Sequence, residues 1–264
     1  MITDRPPYDP ATERLDEINE NLSLIQLKTG LTFGTDSYLL SAFSRAKKSG
    51  VALELGGGTG VVSLLSASRE KYKKIYCAEI QPYFADLIGR NASLNSLDGK
   101  VLPTLADVRD LRVESFGGEV DAIFSNPPYM TIESGKNSDS PEMNIARREL
   151  NGTIDDFCHS AEKLLKFGGY FTVVYRPDRF AELIFALKSH SLEPKRAVIV
   201  YPSVEDKPCL TLVEAKKGGA AGLEFSRPLI IYSDKKSCTY TDDMNAVYDT
   251  FSLDFLFTKK RSLK

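Results

Sequence analysis

Long apolar runs are missing from this 264-residue chain. A membrane-crossing helix needs about 18 or more consecutive apolar residues, and no stretch offers them, so none is expected. The N-terminus, Met1-Ile2-Thr3-Asp4-Arg5-Pro6-Pro7, lacks the apolar core of a signal peptide. Cysteine is sparse: Cys77, Cys158, Cys209 and Cys238 stand far apart, with no C-x-x-C pair. That excludes a cysteine metal site of the usual spacing, and no metal is expected. It fits free thiols in a reducing cytoplasm. An excess of one charge is also missing. Lys and Arg number 34 against 36 Asp and Glu, a formal charge of −2 with pI about 5.9. A globally basic nucleic-acid binder is excluded, though a local basic patch is not. Internal repeats and a clear domain linker are absent as well.

What is present is a succession of short apolar runs alternating with helical patterns. Strands are expected at Leu22–Leu27, Val51–Leu55, Lys73–Ala78, Val101–Ala106, Val120–Ser125, Tyr170–Tyr175, Ala197–Tyr201 and Leu210–Glu214. Helices are expected from Asp36, read as a cap, to about Lys48; from the residues after Gly60; and over Phe84–Leu94, Ile154–Leu165 and Phe180–Ser189. Gly168-Gly169 reads as the stop of the fourth of these. Strands alternating with helices predict an α/β fold with a mostly parallel sheet. The short link Pro202–Pro208 suits a hairpin, so the last strand is expected antiparallel. Residues 1–21 are polar and read as a loose arm. Residues 22–50 form an extension packed on the core, 51–219 the main domain, and 220–264 a C-terminal extension ending in the basic tail Lys259-Lys260-Arg261. The polar loop 130–148 is long enough to suggest function.

Two stretches carry chemistry. The first is Glu54-Leu55-Gly56-Gly57-Gly58-Thr59-Gly60, a glycine turn between a strand and a helix. Gly56, Gly58 and Gly60 let backbone approach a ligand closely. Glu79 follows at the end of the next strand, 19 residues beyond Gly60, where a carboxylate can take both ribose hydroxyls. These features alone also fit NAD. Glu54 before the loop can hold a cationic amino-acid group, and Asp107 after the third strand can bond an adenine amine. A ligand with adenosine and a charged methionine moiety meets all three acids: S-adenosylmethionine. Singly, Glu79 and Asp107 read better as solvated acids at strand ends; in series, each at a strand's carboxyl end, they do not.

The second stretch is Asn126-Pro127-Pro128-Tyr129, at the carboxyl end of the fourth core strand, the edge where open α/β sheets bind ligands. The prolines fix the path of the chain and push Asn126 into extended geometry. The Asn126 side-chain oxygen and the Pro127 carbonyl make two acceptors for a planar NH2 group, and Tyr129 adds a flat aromatic face. This suits attack by an exocyclic amine or amide nitrogen on an electrophilic carbon. A plain turn at a strand end is the alternative for these four letters alone.

These residues resemble a class I, Rossmann-like S-adenosylmethionine-dependent methyltransferase of the amino-methylating group. Within it the chain is most similar to the bacterial tRNA1(Val) adenine N6-methyltransferase family, over roughly residues 22–248. Phe33-Gly34-Thr35-Asp36-Ser37, Ile145-Ala146-Arg147-Arg148-Glu149, Glu193-Pro194-Lys195-Arg196 with Val200-Tyr201-Pro202, and Leu212–Gly219 carry the likeness further. The chain departs from the pattern at Arg148, where histidine is expected, and at Lys207-Pro208-Cys209, where an alanine-asparagine pair is expected. The resemblance implies a seven-stranded methyltransferase sheet with helices on both faces and S-adenosylmethionine as cofactor. It implies a tRNA adenine as substrate, stacked on Tyr129, and catalysis at Asn126, Pro127, Pro128 and Tyr129. Lys136, Arg147 and Arg148 flank the catalytic loop as candidate RNA contacts. A monomer in the cytoplasm is expected. Glutamine methylation in a release factor, another nucleic-acid amine, and a cofactor-binding module without catalysis remain open at this point.

Overall fold

The computed structural model of the chain describes residues 8–29, 33–127 and 152–258. The first pair of strands, β1 (Glu13–Asn19) and β2 (Leu22–Leu27), forms an antiparallel hairpin. Within the expected loose arm, Glu13–Asn19 is therefore strand. Glu13 is buried, and Arg90 forks onto both of its oxygens at 2.7 and 2.9 Å while Tyr83 donates to it at 2.6 Å. Charge thus fastens β1, while β2 is seated by Leu22, Leu24 and Ile25, all buried.

The chain continues through α1 (Thr35–Phe43), β3 (Lys47–Leu55), α2 (Val61–Ser68), β4 (Tyr72–Glu79), α3 (Pro82–Leu94), β5 (Val101–Leu105) and β6 (Val120–Ser125). Beyond residue 151 follow α4 (Ile154–Leu164), β7 (Leu165–Tyr175), α5 (Phe180–Ser189), β8 (Leu192–Tyr201) and β9 (Leu210–Lys217). The C-terminal part holds β10 (Glu224–Phe225), β11 (Leu229–Ile230), β12 (Tyr232–Asp234), β13 (Thr239–Tyr240) and α6 (Asp242–Thr250).

The main sheet has nine strands. Seven run in the order β8-β9-β7-β6-β3-β4-β5, and β10 and β11 pair in parallel with β8. Of the seven, only β9 is antiparallel to its neighbours, as the short link before it predicts. The order reverses at β3 and β6, and their carboxyl ends lie side by side at that switch point, where doubly wound sheets take their ligands. All six residues of β6 are buried, as a strand covered on both faces must be. Alternation does the covering. Ala52, Phe124, Val174 and Val198 pack with α1, α2 and α6 on one face, while Leu53, Ile123, Val173 and Ala197 pack with α4 and α5 on the other.

Three local expectations are corrected. Asp36 is not a helix cap: Gly34 holds that position and makes no side-chain cap bond, and α1 ends at Phe43, so the lysines at 47 and 48 open a strand instead. Gly168-Gly169 does not stop α4, which ends at Leu164. The glycines lie within β7, where its register against β6 shifts. A Cβ on Gly169 would stand 2.9 Å from Lys166 O and 3.0 Å from Asp121 O, so the shift needs a residue without one. The α4 start is a capping box, with Thr153 and Asp156 each bonding the other's backbone.

Candidate active site

Strand order lays the acids and the asparagine in a row. Along the carboxyl edge come Asp107 after β5, Glu79 at the end of β4, the glycine turn after β3, and Asn126 after β6. Neighbouring strands stand about 4.8 Å apart, so this row is long enough for an extended ligand.

The turn is tied down by Gly56 and Gly57, whose N–H groups donate to Ala78 O at 2.9 and 3.0 Å. Gly57 lies directly over Cys77, and a Cβ there would collide with the Cys77 sulfur. Gly58 is glycine for a different reason. Its φ is +53°, which side chains rarely adopt, and a Cβ would meet nothing within 4 Å. The backbone is open there, a cradle that a cofactor can approach. Gly56 and Gly60 also have positive φ, and Gly60 caps the start of α2.

Glu79 is 5% exposed and faces this loop. Gly58 N–H donates to one of its oxygens at 2.8 Å and Gln81 N–H to the other at 2.9 Å, while burial raises its pKa. Each carboxylate oxygen has two acceptor sites, so capacity for ribose hydroxyls is retained. Glu54 is more enclosed. Ser63 donates to it through its N–H at 2.9 Å and through its hydroxyl, and Cys77 through its thiol at 3.4 Å. Burial pushes its carboxyl up to about 7. Glu54 therefore also fastens the first turn of α2, a use that sequence reading missed. Asp107 caps a short 3-10 turn at Val108–Asp110 and is forked by Arg109, which holds its carboxyl below the usual range. An adenine amine would meet an acid that already carries a guanidinium.

Asn126 is half-buried and Pro127 buried. Ser125 locks the strand end by donating its hydroxyl to Leu55 O at 2.7 Å. The Asn126 amide nitrogen donates to Asp36 Oδ2 at 2.8 Å. This contact brings the first turn of α1 to the end of β6. Asp36 escaped the sequence reading because it was assigned to a cap, although it stood within the quoted Phe33–Ser37 stretch. Pro128, Tyr129, Lys136, Arg147 and Arg148 lie outside the described residues. Among the described residues no three metal-ligating side chains converge, and no helix is long and apolar enough to cross a membrane.

The family model for the methyltransferase small domain matches residues 28–190. A tRNA1(Val) (adenine(37)-N6)-methyltransferase of Bacteroides fragilis is 30% identical over 70% of this chain and 77% of its own length. That of Porphyromonas gingivalis is 26% identical over 78% of this chain and 84% of its own. In fold the chain is similar to a protein described as a predicted O-methyltransferase from Agrobacterium tumefaciens. The TM-score is 0.66 at 23% identity, covering 83% of this chain and 97% of the other. The matched span runs from the end of β2 to the end of α5 and carries the glycine turn, Glu79, Asp107 and Asn126: the chain belongs to the methyltransferase small domain family.

Proposed function

We propose that this chain methylates the exocyclic N6 amine of an adenine in tRNA, at the anticodon-loop position that its curated relatives are named for. The observation that carries the reading is Asn126-Pro127 at the end of β6, next to the glycine turn of β3, which sets an amide acceptor beside the cofactor cradle. S-adenosylmethionine supplies an electrophilic methyl group on a sulfonium. The open backbone at Gly58, the carboxylate of Glu79 and the buried carboxylate of Glu54 fit its ribose and its ammonium group.

The chain's own residues then act by holding. Asn126 Oδ1 and the Pro127 carbonyl accept the two amine hydrogens and fix the nitrogen lone pair toward the methyl carbon. Tyr129 stacks on the flipped base. Bound S-adenosylmethionine would give up its methyl by S–C cleavage as the N–C bond forms, and the extra proton on the held nitrogen would pass to water. No strong base is needed. Lys136, Arg147 and Arg148 contact RNA phosphates. The enzyme works as a monomer in the cytoplasm.

Labelled S-adenosylmethionine, unmodified total tRNA and nucleoside analysis test the reading; N6-methyladenosine is the expected product. Asn126→Ala lowers kcat by about 10²-fold, the loss typical of one preorganised polar group. Transfer to a peptide glutamine with none to tRNA overturns the substrate, and full turnover by Asn126→Ala overturns the role of the asparagine.

A further inference from the structure

We propose that Asp36 is the positioning residue for Asn126: its carboxylate fixes which end of the amide faces the target amine. This rests on the catalytic reading of Asn126. An asparagine side chain has a donor end and an acceptor end of nearly the same shape, and only the acceptor end can take an amine hydrogen. Turned by half a rotation, the amide would present N–H to N–H and hold nothing. Asp36 removes that ambiguity. An ionised carboxylate accepts and cannot donate, so the nitrogen must face it, as the 2.8 Å contact to Oδ2 shows. The carbonyl oxygen then faces away from Asp36.

The surroundings are built to hold Asp36 in this pose. Its other oxygen accepts from the Ser37 N–H at 2.8 Å, which fixes the side chain against the start of α1. Gly34 makes the room. Its φ is −129°, a conformation open to any residue, so backbone freedom does not explain the glycine. A Cβ at Gly34 would stand 2.7 Å from Asp36 Oδ1, and that does. The chain entering this turn is anchored as well: Phe33 N–H donates to Gln26 Oε1 at 2.8 Å, and Gln26 is itself buried in β2. The N-terminal hairpin, Gly34 and Asp36 thus form one brace that ends on the Asn126 amide, 90 residues away in sequence.

A purely structural acid in the first turn of a helix would favour the helix dipole and affect stability alone. The experiment separates the two roles by measuring kcat, tRNA KM, S-adenosylhomocysteine affinity and melting temperature. The variants are Asp36→Asn, Asp36→Ala, Gly34→Ala, Asn126→Ala and the double variant Asp36→Ala/Asn126→Ala. Asp36→Asn is nearly isosteric but can donate, which lets the Asn126 amide turn over. It lowers kcat about tenfold or more, as misorientation of a reacting group does, with cofactor affinity and melting temperature near wild type. Gly34→Ala gives the same pattern. In the Asn126→Ala background, Asp36→Ala costs no further kcat, because residues that act as a unit are not additive. An equal loss in both backgrounds, or a lower melting temperature with full kcat, overturns the proposal. A slow Asn126→Ala beside Asp36 variants at full rate overturns it alone, whereas a fully active Asn126→Ala overturns the reading of Asn126 with it.

Discussion

Glu54 and Glu79 are the same residue type at the ends of neighbouring strands, yet they are held differently. Glu79 takes backbone N–H groups on both oxygens, which partly offsets its burial. Glu54 accepts instead from Ser63 and Cys77, and burial dominates, raising its carboxyl to about 7. An acid raised in the folded state adds stability below its ordinary pKa and loses it as pH climbs through the raised value. The melting temperature of the free enzyme therefore falls between pH 5 and 8 relative to Glu54→Gln. Binding runs the other way. A ligand ammonium near Glu54 favours the carboxylate, so the bound state releases a proton. S-adenosylhomocysteine affinity should rise with pH up to about 7 and then level off, while Glu54→Gln binds more weakly with a flat profile. Calorimetry in buffers of different ionisation enthalpy reads this release directly. A flat wild-type profile would remove Glu54 from the cofactor site.

At the scale of elements, what was legible followed apolar burial. The strands β3, β4 and β6 to β9 and the helix α5 were readable because they bury Val, Ile, Leu, Phe or Ala, the central strands alternately in the two cores. The hairpin strand β1 was not, because its buried anchor is Glu13 and its sequence, Glu-Arg-Leu-Asp-Glu-Ile-Asn, reads as solvated. The energy that seats it comes from Arg90 on α3, a partner 77 residues away that no local pattern announces. Two-residue strands such as β10 and β11 carry too few side chains to show a period. Arg90 holds the Glu13 carboxyl down at about 2, so the pair supports the fold at neutral pH and releases it as pH falls from 4.5 toward 2. Arg90→Ala leaves Glu13 buried without its cation. It should cost about 2 kcal/mol, roughly 4–8 °C in melting temperature for a domain of this size. Arg90→Met with Glu13→Leu should recover most of that. A double variant no more stable than Arg90→Ala would show that the hairpin is seated by something else.

Over the whole molecule, the tRNA substrate proposed above sets an acidic polymer against an acidic chain, so the placement of the basic residues decides what they can do. The sheet divides them. Because β9 runs back, it ends with Lys216 and Lys217 toward the amino edge, where Lys217 reaches the start of β7, while Lys195 and Arg196 lie in the first half of β8, Arg196 level with Glu214 and Thr172. Several of them have structural duties there. Arg196 is 12% exposed and bridges Glu214 and Asp254, and Lys217 donates to Leu165 O at 2.8 Å beside Glu119 and Glu162. The sequence already sets Arg147 and Arg148, next to the Asn126 stretch, apart from these groups, and strand direction, which is not written in composition, gives a further reason to read the lysines of β9 as structural. The RNA contacts proposed above are Lys136, Arg147 and Arg148, which follow the Asn126 stretch in the chain. Contact with several phosphates makes log K fall linearly with log salt, by about 0.7–0.9 per phosphate neutralised. Replacing Arg147 and Arg148 together by alanine should raise the tRNA KM and shallow that slope by about one to two. Lys216→Ala with Lys217→Ala should leave the slope and KM as they were and act on stability alone. Filter-binding titrations across a salt series decide between the two edges: a slope that responds only to the Lys216 and Lys217 pair would move the RNA to the amino edge of the sheet and out of reach of Asn126.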